Sequence, residues 1–261
     1  MASKGQRKIM VLAGTADARE LCGRLSRMKE VEAVASLAGA TSAPARYEVP
    51  VRAGGFGGAD GLADELRRGG YTHLVDATHP FALRITANAR SAAALAGARL
   101  ARLERPSWLN GRDGAWKSFP DLPSAIKALP GGSRVFATIG SGIFRSPERA
   151  FLEIRNDCRF IVRVAEPVDD KALPGNCRAV AARPAGDPEK ELAALEKYAA
   201  TCLLCRNSGG RAGLSKLRAA ARIGIPVHMV ERPAEANATE CGDVFVTARE
   251  VERWIMRDPT A

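Results

Sequence analysis

The chain has 261 residues, enough for one large domain or two smaller ones, and its 46% hydrophobic and 26% charged content is that of a folded globular protein rather than a disordered one. A run of about 18 uncharged apolar residues, the least a membrane-spanning helix needs, is absent. With 39 Lys and Arg against 29 Asp and Glu the formal charge is +10, yet the basic residues are scattered and aromatics are only 5%, so nucleic acid is not the expected partner and a polyanionic small molecule drawn into a basic cleft is. The N-terminal MASKGQRKIM leads into an apolar strand without a secretory h-region, so the expected compartment is the cytoplasm.

In chain order, the first predicted element is a strand over 9–13 that ends at Gly14. A helix over 17–28 follows, with Ala18, Leu21, Cys22 and Leu25 on one face and Asp17 as cap or first-turn acid. Strands are predicted over 31–37 and 47–51, the second leading into Gly54-Gly55-Phe56-Gly57-Gly58. A helix over 61–68 is stopped by Gly69-Gly70, and a strand over 72–77 precedes an Ala-rich helix over 81–95 with Pro80 at its first position. A strand over 98–103 closes this half. The stretch 106–132 is rich in Pro, Gly and Trp and weakly periodic, and reads as a linker. The alternation then resumes, with strands over 135–139, 160–164, 201–205 and 226–230 and helices over 189–198 and 214–223, before a closing helix over 247–256 capped by Thr247.

This pattern predicts an α/β fold of two Rossmann-like lobes with parallel sheets and a cleft between them, the first over 1–132 and the second over 133–261. Strand C-termini gather at one rim of such a sheet, where ligands bind. Six cysteines (Cys22, Cys158, Cys177, Cys202, Cys205, Cys241) do not form a disulfide framework in a chain of this kind, and the lone Cys202–Cys205 pair lies in an apolar run that reads as a buried strand, so no metal site is expected.

Four turns carry chemistry. The first, Gly14-Thr15-Ala16-Asp17-Ala18-Arg19, is a small-residue turn at a helix start, suited to a pyrophosphate although it is a looser pattern than G-x-G-x-x-G. Residues 34–39 past the second strand, including Ala38 and Gly39, contain no acid to bind a ribose diol, which points to a 2′-phosphate and hence to NADPH. Gly54, Gly55 and Gly57 allow a ligand close to the backbone and Phe56 offers a ring to stack. In Asp76-Ala77-Thr78-His79-Pro80-Phe81-Ala82, Thr78 and His79 stand at a strand end, and His79 can donate a hydrogen bond or a proton near neutral pH, or simply pack at the rim behind a Thr78 cap. His73 and His228 fall within strands and read as structural. In the second half, Arg206-Asn207-Ser208-Gly209-Gly210 offers a fixed cation and neutral donors; Ser208 is carried with His79 as a catalytic candidate, as a donor rather than a hydrolytic nucleophile because G-x-S-x-G is absent.

Taken together, the turn 12–21, Ser36-Leu37-Ala38-Gly39, Arg52-Ala53-Gly54-Gly55-Phe56-Gly57-Gly58, the 76–82 motif, Leu103-Glu104-Arg105-Pro106-Ser107-Trp108, Asn207-Ser208-Gly209-Gly210, Gly224-Ile225-Pro226-Val227 and Glu231-Arg232-Pro233 resemble, in order and spacing, the precorrin-6A and cobalt-precorrin-6A reductases of corrin biosynthesis. The resemblance spans nearly the whole chain. It implies an NADPH-dependent reductase of a ring C=C bond in a methylated tetrapyrrole bearing many carboxylates, with the pyrophosphate at Gly14 to Ala16 and the nicotinamide near residues 54–58 and Thr78–His79. Arg46, Arg105 and Arg206, with Asn207 and Gly209, become candidates for the substrate. The family's turn typically carries Lys where this chain has Arg206, which keeps the charge and removes a proton-donating amine, and it typically has two glycines where this chain has Ala13-Gly14. The alternatives are the cobalt-containing substrate or another NADP-dependent oxidoreductase. A sugar or alcohol dehydrogenase would normally show Tyr-x-x-x-Lys, which none of the three tyrosines provides.

Overall fold

In the computed structural model, which describes residues 7–39, 46–112, 114–233 and 242–257, the first apolar run forms strand β1 (Arg7–Leu12). Its two-residue period divides its side chains between two cores. Ile9 and Val11 pack with Leu21, Cys22 and Leu25 of helix α1 (Ala16–Leu25), whereas Met10 and Leu12 pack on the opposite face. Strands β2 (Val31–Leu37) and β3 (Val51–Ala53) and helix α2 (Ala59–Gly69) follow. The third strand starts later than the expected 47–51 because Pro50 has no N–H to give to the ladder; pairing with β2 begins at Val51. Strand β4 (His73–Asp76), helix α3 (Leu83–Ala96) and strand β5 (Arg99–Leu103) complete the run, with Leu62, Leu66, Ala89 and Ala93 of α2 and α3 covering Met10 and Leu12.

The stretch expected to be a linker is structured. It holds strand β6 (Lys117–Phe119) and helix α4 (Leu122–Lys127), whose start Asp121 caps by accepting from the Ser124 N–H. Next come β7 (Arg134–Thr138), a short helix α5 (Arg149–Ile154), β8 (Arg159–Val164), β9 (Cys177–Ala181), α6 (Pro188–Lys197), β10 (Cys202–Arg206), α7 (Arg211–Arg222) and β11 (Val227–Val230). The Cys202–Cys205 run is the buried strand expected, and the five described cysteines are free thiols; Cys241 lies outside the described residues.

Strand β12 (Asp243–Phe245) and helix α8 (Ala248–Met256) end the described chain, with α8 capped by Thr247 in a reciprocal box with Glu250. They correct the expected boundaries. One unit is Met1–Arg105 with Ala234–Ala261, and the other is Pro106–Pro233, rather than 1–132 and 133–261. The physical reasons are direct. β12 pairs with β5, and Val251, Trp254 and Ile255 of α8 join the core around Leu21 and Leu25. In the other unit, β6 pairs with β11, and Trp108 and Trp116 pack into the core around Leu203 and Leu217.

Every strand pair in both sheets is parallel. The first sheet runs β3-β2-β1-β4-β5-β12, the doubly wound dinucleotide-binding order. The second runs β9-β8-β7-β10-β11-β6, the same spatial order with the sixth place filled by the strand that comes first in its unit. Strand order therefore reverses between β1 and β4 in one unit and between β7 and β10 in the other, which brings the turns after these four strands to the binding edges of their sheets. Among the described residues no helix is long and apolar enough to cross a membrane.

Candidate functional site

The turn after β1 is held from three sides. Thr15, rather than Asp17, caps α1: its hydroxyl accepts from the Ala18 N–H at 3.1 Å and donates to the Ala77 carbonyl at 2.8 Å, tying this turn to the end of β4. That side chain is therefore structural. What the turn offers a ligand is backbone: Gly14, at φ +127 where side chains are disfavoured, and the N–H groups of the first turn of α1. The Gly14 N–H donates to the Tyr47 hydroxyl at 3.2 Å, a phenol whose pKa is raised by burial and held back by this bond and by the nearby Arg19. Tyr47 thus joins the site from 33 residues away, and nothing in the sequence pattern marked it. Arg105, expected to meet substrate, pairs with Asp17 in the first turn of α1.

At the ends of β2 and β3, Ala38 and Gly39 are exposed, and the Gly54 N–H bonds the Leu37 carbonyl at 3.0 Å. Arg52 organises the glycine loop by donating to the carbonyls of Gly54 at 2.6 Å and Gly55 at 3.2 Å. Its guanidinium lies 3.9 Å over the Phe56 ring, which also packs against the core beneath α2 and α3. One face of the Phe56 ring is thus stacked by a side chain of the protein itself. Gly55 differs from its neighbours: its φ lies outside the left-handed region and a Cβ built on it meets nothing within 4 Å. Neither packing nor backbone conformation demands glycine there, which fits close approach of a ligand to this backbone.

Asp76 ends β4 as a buried carboxylate. One oxygen accepts both the Thr78 N–H (3.0 Å) and the Thr78 hydroxyl (2.6 Å); the other accepts the Thr86 hydroxyl (2.7 Å) and the Arg102 guanidinium (2.6 Å), and Arg102 also pairs with Glu104. Thr78 therefore does not cap α3, and Pro80 is not at its first position. The Phe81 N–H donates to His79 Nδ1 at 3.3 Å and the Ala82 N–H to the His79 carbonyl at 2.8 Å, closing a turn that delays the helix to Leu83. His79 is half-buried at the rim, and with Nδ1 accepting, its neutral ring carries the proton on Nε2. His73 and His228 are buried within their strands as expected; burial, with Arg99 and Arg7 nearby, lowers the His73 pKa to about 4, and burial lowers that of His228.

In the second unit the structure corrects one expectation, that for Asn207. Asn207 is 1% exposed and its amide is fully used: it accepts the Trp108 N–H at 2.9 Å and donates to the Trp108 carbonyl at 3.0 Å and to Glu231 at 2.7 Å. Gly209, at φ +67, is required because a Cβ there would overlap the Pro106 carbonyl oxygen. The Asn207 side chain therefore builds the unit rather than presents donors to a substrate. Arg206 and Ser208 are half-buried, and burial lowers the Arg206 pKa; Arg46, in the first unit, is exposed. Sequence reasoning missed Lys216, buried in α7 with its ammonium 3.0 Å from the Thr138 hydroxyl at the end of β7. Among the described residues no group of three or more His, Cys, Asp or Glu gathers as a metal site.

A family model described as precorrin-6x reductase CbiJ/CobK matches residues 8–255. The chain belongs to this family. Among its CbiJ/CobK relatives, the precorrin-6A reductase of Rhodococcus erythropolis is 40% identical over 90% of this chain and 93% of its own length. The cobalt-precorrin-6A reductase of Methanothermobacter thermautotrophicus is 31% identical over 86% and 76%. A solved structure described as CobK precorrin-6A reductase superposes with a TM-score of 0.85 at 36% identity, covering 95% of this chain and 96% of that one. The turns described above lie within the CbiJ/CobK match.

Proposed function

We propose that this CbiJ/CobK chain reduces precorrin-6A to its dihydro form with NADPH. The observation that carries the reading is the 40% identity, over 90% of the chain, to a protein named precorrin-6A reductase. Reduction of cobalt-precorrin-6A is the second reading, supported by the weaker 31% match.

The donor set fits a dinucleotide. The Gly14 turn and the first turn of α1 supply backbone N–H groups for the pyrophosphate, with Arg19 beside them. At the end of β2, Ala38 and Gly39 place no acid against a 2′-phosphate. The backbone at Gly54, Gly55 and Gly57 and the rim residues Thr78 and His79 flank the reactive end. NADPH, when bound, supplies the hydride. The protein's residues orient the partners and exclude water, with His79 Nε2–H as a donor at the rim. Arg46, Arg206 and Ser208 remain as groups for the substrate's polar periphery, and the +10 charge favours a polycarboxylate.

The test is consumption of reduced nicotinamide on adding precorrin-6A, with NADPH and NADH compared at equal concentration and low salt. NADPH is expected to be strongly preferred. Comparable turnover with both nucleotides would refute the cofactor assignment.

A further inference from the structure

The Asp76 carboxylate binds four donors from three elements, and two of them come from one residue, Thr78. Both Thr78 donors land on the same oxygen, which bends the chain sharply off the end of β4. The next residue is His79, whose ring is fixed by the Phe81 N–H one step further along the same turn. The other carboxylate oxygen is anchored to Thr86 in α3 and to Arg102 in β5, whose guanidinium also bonds the Thr86 hydroxyl at 2.6 Å. Asp76 and Arg102 are each 2% exposed, so this anchor is shielded from water and is stiff.

We propose that Asp76, acting through Thr78, is a positioning residue that sets the direction and tautomer of the His79 ring for the reaction. A carboxylate held on one side by a helix and a neighbouring strand, and on the other by the turn it shapes, transmits the rigidity of the sheet to a rim side chain. Orientation is the whole of its contribution, because the Asp76 oxygens are occupied by these four donors. The inference rests on the reductase reading only for its kinetic part, since ring geometry is measured independently of turnover.

The test uses Thr78→Val, which keeps the side-chain shape but removes the hydroxyl donor and leaves the Thr86 and Arg102 bonds in place. Thr78→Ser restores the donor. The chain has three histidines, so the His79 ring nitrogens are assigned in NMR spectra by comparison with His79→Ala. The wild type is expected to show a neutral Nε2–H tautomer, Thr78→Val a mixture, and Thr78→Ser a return to Nε2–H. Steady-state kcat/KM with precorrin-6A is expected to fall about tenfold in Thr78→Val and to recover in Thr78→Ser, with the Thr78→Val/His79→Ala pair no worse than His79→Ala alone. An unchanged tautomer in Thr78→Val, or additive losses in the pair, would overturn the positioning role. A tautomer change between the wild type and Thr78→Val, with a wild type that turns over no precorrin-6A, would instead overturn the reductase reading and leave the positioning of the ring standing.

Discussion

Replacing Gly55 with Ala separates a ligand contact from a folding requirement. A Cβ there enters open space, and the backbone φ is one that other residues adopt. The substitution should therefore stabilise the fold, by about 0.4–1 kcal/mol, through reduced freedom of the unfolded chain. For a protein of this size that raises the Tm by roughly 1–4 °C. If NADPH lies against this backbone, the added methyl overlaps it and costs about 1–3 kcal/mol of affinity, a Kd roughly 5–150-fold weaker. Nicotinamide fluorescence titration and thermal melts on the same samples measure both. Gly209→Ala is the counter-case: φ +67 and the Pro106 carbonyl oxygen make it destabilising by a few kcal/mol through strain. Wild-type NADPH affinity in Gly55→Ala would refute the placement of the cofactor along the glycine loop, and a lowered Tm would refute the open space.

Asn207→Ala should lower stability in urea by about 2–4 kcal/mol, because the buried Trp108 N–H and carbonyl lose their partner, while NADPH affinity holds; unchanged stability with a raised substrate KM would return Asn207 to the substrate. The His73 pKa is depressed to about 4 in the fold, so its contribution is full above pH 6.5 and is lost as the pH falls from 6.5 towards 4, by up to about 3 kcal/mol; His73→Asn should flatten that part of the stability–pH curve, and parallel curves would contradict it. Raising ionic strength past about 0.1 M, where the Debye length is about 10 Å, should raise the KM for precorrin-6A, and a flat response would detach the +10 charge from the substrate. His79→Ala should act mainly on KM, whereas a kcat loss of about 10²–10⁴-fold with both affinities intact would make His79 the proton donor.

The alternation of apolar runs and helical faces was enough to read two parallel α/β lobes, with β2 and the Thr247 cap placed to the residue. Short strands without an apolar run escaped it. β6 and β12 are three residues each and lie mostly exposed at sheet edges, so neither leaves a periodic signal, and the unit boundary moved with them. The turns at the binding edge were legible because glycines and a histidine followed predicted strands. The roles of their side chains were not, since those depend on distant partners: Asn207 is used up by Trp108 from 99 residues away, and Phe56 is stacked by Arg52. Thr15 is likewise tied to Ala77, and Tyr47 to Gly14, by contacts that only the folded sheet creates.

The most direct measurement is mass spectrometry of precorrin-6A incubated with the protein and NADPH carrying deuterium at the transferable position, beside an unlabelled control. The account predicts a product heavier than the substrate by two hydrogens with unlabelled NADPH, and by one deuterium and one hydrogen with the labelled cofactor. Unchanged substrate in the presence of bound NADPH, or a reduced product without deuterium from either face of the labelled nicotinamide, would contradict it.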